Sequence, residues 1–86
     1  MTFITLVKFR RRPTADEVNS APQKLQQAGL KIVSSYWTLG QYDAVVTLEA
    51  PDEKSVMKAM GGLMELASTE TLVAIPRAEA LKLVGY

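Results

Sequence analysis

The sequence predicts an α+β fold: a four-stranded antiparallel sheet with two helices on one face, in the order β-α-β-β-α-β. Three observations predict it. Four short runs rich in β-branched and aromatic residues punctuate a chain of 86 residues. Apolar residues recur at helical spacing between the first and second runs, and again between the third and fourth. The second and third runs are separated by little more than Gly40-Gln41, so they are expected to pair as a hairpin. Right-handed crossovers then place both helices on the same side of the sheet, which is the ferredoxin-like plait. The length suits one domain, residues 1–86.

The first run, Thr2 to Phe9 ("TFITLVKF"), carries apolar residues at both parities. It is therefore expected to be a central strand or to lie in a sheet covered on both faces. The stretch that follows opens with Arg10-Arg11-Arg12, read as a solvated loop. Thr14 with Glu17 three residues later spells a capping box, and Val18, Ala21, Leu25 and Ala28 give the helix an apolar face. Pro22 falls inside this run and is expected to kink the helix or to start a second piece capped by Ser20. Gly29 is the expected stop.

The second strand is expected over Leu30 to Leu39 and the third over Tyr42 to Ala50, joined by a tight Gly40-Gln41 connection. In the third strand Ala44, Val46 and Leu48 should face the helices, with Asp43, Val45, Thr47 and Glu49 on the other side. The second helix starts after Pro51 with Asp52 as N-cap. Its apolar stripe is Val56, Ala59, Met60 and Leu63, weakened or ended by Gly61-Gly62. Met57, Met60 and Met64 read as adaptable core. "STETLVAI" is the fourth strand, and "PRAEALKLVGY" begins a short tail helix.

Composition narrows the chemistry. There is no cysteine and no histidine, so thiolate nucleophiles, a Ser-His-Asp triad and the commonest metal ligands are all missing. No metal and no cofactor are expected. The net charge is +1 and the third strand carries no aromatic after Tyr42, so the charged, base-stacking platform of an RNA-binding plait is not expected. No apolar stretch approaches the ~20 residues that span a bilayer. "MTFITLVKF" lacks the basic start of a secretion signal, so a cytoplasmic protein is expected.

Four residues stand out as candidate ligand-binding groups: Lys8, Tyr36, Tyr42 and Asp43. Tyr36 and Trp37 are adjacent, so they should point to opposite faces, and the same split applies to Tyr42 and Asp43. Asp43 is a natural acceptor for backbone N–H groups near the turn. Lys8 shares a parity with Ile4 and Leu6, so it should need a carboxylate, Asp43 or Glu49, within the chain or across a dimer. No strand has a fully charged side, so the sheet face away from the helices is expected to be covered, most simply by a second copy.

The hairpin carries a family resemblance. "LGQYD" resembles the G-x-Y-D hairpin of GYD-domain proteins through Gly40, Tyr42 and Asp43. "ITLVKF", with Leu6 and Lys8, is similar to the first strand of that family. "YWTLGQYDAVVTLEAPDEKSV" is similar to its central stretch, with Tyr36, Thr38, Leu39, Glu49, Ala50, Pro51 and Asp52 in place. The resemblance implies a dimeric α+β-barrel architecture. That architecture is shared by cofactor-independent monooxygenases, small isomerases, haem-degrading enzymes and ligand-sensing regulatory modules, and fold alone does not choose among them. The leading expectation is a homo-oligomeric module that binds a small molecule or regulates. A small cofactor-free enzyme with Lys8, Tyr36, Tyr42 and Asp43 around its substrate is the second, and a purely structural assembly protein the third.

Overall fold

A computed structural model describes all 86 residues. Its elements run β1 (Thr2–Phe9), α1 (Ala15–Gln27), β2 (Lys31–Trp37), β3 (Ala44–Glu49), α2 (Glu53–Gly61), β4 (Ala67–Ala74) and α3 (Arg77–Leu83). The four strands form one antiparallel sheet in the order β2-β3-β1-β4. This is the expected plait, with β1 central, one of the two readings that its two-sided apolar pattern allowed. Thr5 pairs with Val46 on one side and Thr71 on the other. No helix is long and apolar enough to cross a membrane.

Local chemistry explains where α1 begins and ends. The Thr14 hydroxyl accepts from the Glu17 N–H at 3.2 Å, and the Glu17 carboxylate accepts from the Thr14 N–H at 2.8 Å. Both halves of the capping box are therefore made. Arg11 then forks onto the same carboxylate with two bonds of 2.7 Å. At the other end Gly29 takes φ +86°, and the Leu30 N–H reaches back to the Leu25 carbonyl at 3.0 Å. Only glycine adopts that conformation without a Cβ penalty. The expectation of a second helical piece at Pro22 is corrected, because α1 is one run straight through it. Proline removes a single backbone bond, and the well-capped ends keep the rest of the helix together. Ser20 caps nothing; its hydroxyl donates back to the Glu17 carbonyl.

The Glu17 carboxyl is pulled down from its ordinary 4.5 to about 2, first by Arg11 and then by the Thr14 N–H. A lowered folded-state pKa stabilises the fold above the unfolded value, and that contribution is lost as pH falls through the folded one. Wild-type protein should therefore lose stability between about pH 4.5 and 2. Glu17→Gln keeps a capping side chain but carries no charge, so it should show a flatter acid limb in urea midpoints taken across that window. Parallel limbs would contradict the assignment.

Other expected boundaries move. The tight Gly40-Gln41 turn is instead a loop of residues 38–43, because β2 ends at Trp37 and β3 starts at Ala44. The loop is closed by the Thr38 N–H on the Asp43 carbonyl (2.9 Å) and the Thr38 hydroxyl on the Tyr42 carbonyl (2.8 Å). Gly40 turns it at φ +114°. α2 is capped by Asp52, which accepts from the Ser55 N–H at 2.9 Å, and it stops at the Gly61-Gly62 pair. Met57 and Met64 are exposed, and of the three methionines only Met60 packs against the core.

The core is small. Phe3, Leu30, Leu48, Ala50 and Val56 form its buried cluster, joining β1, β3 and α2. Eight of 86 residues are buried, and α1 contributes none of them. The radius of gyration is 13.8 Å, against ~12 Å for a compact domain of this length. The chain tail is one reason. α3 is at most half-buried, and Leu83 at its end and Val84 and Tyr86 beyond it are exposed.

Candidate functional site

The two sheet faces differ sharply. Strand alternation and register put Phe3, Thr5, Val7, Phe9, Ala44, Val46 and Leu48 on the helix side, as expected for β3. The opposite face carries Ile4, Leu6 and Lys8 from β1, with Val45, Thr47 and Glu49 from β3. Ser68, Glu70, Leu72 and Ala74 of β4 and Ser34 and Tyr36 of β2 complete it. Neither α1 nor α2 packs on this side, and its middle is an apolar field of Ile4, Leu6, Val45 and Leu72 edged by Tyr36 and a few charges.

The four candidate residues all belong to this bare face or to the loop beside it. Tyr36 stands opposite Val45 and is 66% exposed. Tyr42, in the loop, sends its hydroxyl to Glu70 on β4 at 2.7 Å. That bond raises the phenol's pKa, chiefly because Glu70 accepts its proton. The shift is away from neutrality, the opposite of what a general base needs. The Asp43 carboxylate accepts from the Phe9 N–H at 2.8 Å, while the Asp43 N–H donates to Val7 at 2.7 Å. Asp43 thus locks the loop onto the end of β1, the backbone-accepting role anticipated for it.

Lys8 differs from expectation. It is exposed, and no carboxylate lies within ion-pair distance of it in the chain. The geometry shows why. Asp43 sits one step beyond the Val7–Ala44 pair, but its carboxylate is turned to the Phe9 N–H. Glu49 is opposite Thr2, whose hydroxyl it accepts, six residues along β1 from Lys8. At ~3.3 Å per residue that is about 20 Å away. Within one chain, Lys8 is a cation without an anion.

The helix side holds a different feature, a hollow of about 150 Å³ between α1 and the sheet. None of the four candidate residues lines it. Trp37 does, standing 5.3 Å from Phe9 between ring centres, together with Ser35. Sequence reasoning missed Ser35 because β2 carries a bulge. The register slips between Ile32 and Ser34, so Ile32, Ser35 and Trp37 share the helix side although simple alternation would separate Ile32 from the others. Glu70 was also missed as the partner of Tyr42. Its placement depends on β4 pairing with β1, a long-range register that a local pattern does not specify. No three His, Cys, Asp or Glu side chains come together to hold a metal.

Comparison with known proteins agrees with this architecture. Residues 6–84 match the model of the GYD domain. A glutamine synthetase and cystathionine beta-lyase binding protein of Thermus thermophilus is 41% identical over 80 residues, covering 90% of this chain and 79% of that protein. Among solved structures, E. coli AsnC aligns with a TM-score of 0.59 at 19% identity, over 88% of this chain. The alignment takes in 51% of AsnC, so this chain corresponds to about half of it. FFRP-DM1 aligns with a TM-score of 0.57 at 22% identity, over 86% of this chain and 97% of its own. The likeness to these two structures is one of fold.

Proposed function

The chain belongs to the GYD domain family, and we propose that it is a self-assembling binding module whose bare sheet face is closed by a second copy. The observation that carries this reading is the uncovered apolar field of Ile4, Leu6, Val45 and Leu72 on a domain that buries only eight residues by itself. Small domains commonly gain the missing burial by association.

Charge placement favours a second copy as the occupant. Lys8 and Glu49 sit at opposite ends of the same face. A two-fold axis running across the strands lays the Lys8 end of one copy over the Glu49 end of the other, with sheets ~10 Å apart. The cation without an anion then meets Glu49, whose carboxylate in its own chain lies 3.7 Å from the Met1 ammonium, twice per dimer. Area points the same way. Four strands at ~4.8 Å and eight residues at ~3.3 Å give a face of roughly 500 Å² in projection. A standard interface takes about 800 Å² from each partner. Exposed Ile75, Leu83, Val84 and Tyr86, on and beside α3, are the apolar surface available to supply the difference.

The assembled module would act by binding other proteins. The support is the Thermus thermophilus relative, whose name records binding to glutamine synthetase and to cystathionine beta-lyase. Purified glutamine synthetase and cystathionine beta-lyase, immobilised in turn, test this extension; no retention of the module on either would remove it. The self-assembly reading has its own test. Lys8→Glu should weaken association at least tenfold by placing carboxylate against carboxylate, and combining it with Glu49→Lys should restore the wild-type value. Sedimentation velocity over a dilution series reads both. A double variant no better than the single one would reject the Lys8–Glu49 orientation.

A further inference from the structure

We propose that the hollow between α1 and the sheet is a binding site for a small uncharged molecule, a single aromatic ring or branched aliphatic group bearing one hydrogen-bond acceptor. The site lies on the opposite side of the sheet from the assembly face, so it stands or falls independently of self-association.

Size sets the scale. The volume is about 150 Å³, and an enclosed apolar cavity of ~150 Å³ accepts one benzene-sized molecule, so this partly open hollow has room for one. Lining sets the polarity. Fourteen of its nineteen lining residues are hydrophobic, with Val7, Phe9, Val18, Leu25, Val46 and Leu63 among them, so water gains little inside. Charge is excluded by the one ionisable side chain that lines it. The Glu17 carboxylate is already held by Arg11 and by the Thr14 N–H. A charged ligand would find no free counter-charge, and burying an unpaired ion is strongly unfavourable. Free amino acids, charged at both ends, therefore do not fit.

One polar position remains. The Thr5 hydroxyl is committed to Thr71 at 2.9 Å. Ser35 and Trp37 share the helix side of β2, and both are exposed. They form a donor-bearing lip where one acceptor on the ligand can bond while its ring sits deeper. α1, which contributes no buried residue, is the loosely held wall through which a ligand can enter.

Trp37 is the only tryptophan, so its fluorescence reports on the lip directly. Titration with benzyl alcohol should give a saturable change, with benzoate and benzylamine, of similar shape but charged, at least tenfold weaker. Ala21→Leu pushes three more carbons into the hollow and should weaken benzyl alcohol at least tenfold, with circular dichroism and solution mass unchanged. If that variant fails to fold, Val18→Phe makes the same test from the more exposed side of α1. Ser35→Ala should leave toluene binding unchanged and bring benzyl alcohol down towards it. No saturable change, equal affinity for benzoate, or binding indifferent to the filling variants would each overturn the assignment.

Discussion

Leu6→Arg is expected to convert the assembled protein into single chains. Leu6 lies in the middle of β1 on the bare face, between Val45 of β3 and Glu70 of β4. In the isolated chain the new guanidinium remains in water and has Glu70 beside it, so the fold should persist. In the assembly the same group would be buried against the partner's apolar field. Taking that charge out of water costs several kcal/mol even with Glu70 beside it, because Glu70 is desolvated too and already accepts from Tyr42, and each 1.4 kcal/mol is tenfold in affinity, so association should fall by at least a hundredfold. Sedimentation velocity at micromolar concentration, with circular dichroism as the folding control, reads the outcome. Unchanged mass with an unchanged spectrum would mean that the bare face is not the interface.

Leu48→Ala is expected to have the largest effect on the fold itself. Leu48 is 0% exposed and sits in the cluster with Phe3, Leu30, Ala50 and Val56. Truncating a buried leucine costs about 2–5 kcal/mol, cavity included. An 86-residue domain holds only ~4–13 kcal/mol in total. The melting temperature should therefore drop by about 8–40 °C, since 1 kcal/mol shifts a domain of this size by about 4–8 °C. Val18→Ala on α1 is the internal comparison. Val18 is 38% exposed and borders the hollow rather than the core, so its truncation should cost under about 1 kcal/mol. Both are measured at one protein concentration, because association adds to apparent stability. Equal losses at the two sites would contradict a core centred on β3 and α2.

Much of this fold is legible because its determinants are local. The alternation in β3, the Thr14–Glu17 box, the Asp52 cap and the Gly29 stop each specify their structure from a few neighbouring residues, and each appears in the structure. The two-sided apolar pattern of β1 likewise fits its central place, one of the two positions that the pattern allowed. What escapes is non-local. The β2 bulge sends Ser35 and Trp37 to the hollow, and nothing in "KIVSSYW" marks where the slip occurs. The β1–β4 register decides that Glu70 meets Tyr42, and the β1–β3 register decides that Glu49 is out of reach of Lys8. A residue list can nominate Lys8, Tyr36, Tyr42 and Asp43 as polar or aromatic neighbours. It does not reveal that Lys8 has no carboxylate within reach in its own chain, or that an apolar hollow lies on the other side of the sheet.

The most direct test of the central claim is the mass of the native protein in solution, measured by light scattering over a concentration series through the micromolar range. Closure of the bare face by a second copy predicts an even multiple of the 9.4 kDa chain that persists on dilution. A stable particle of 9.4 kDa across the series would show the face open to water and would contradict the account.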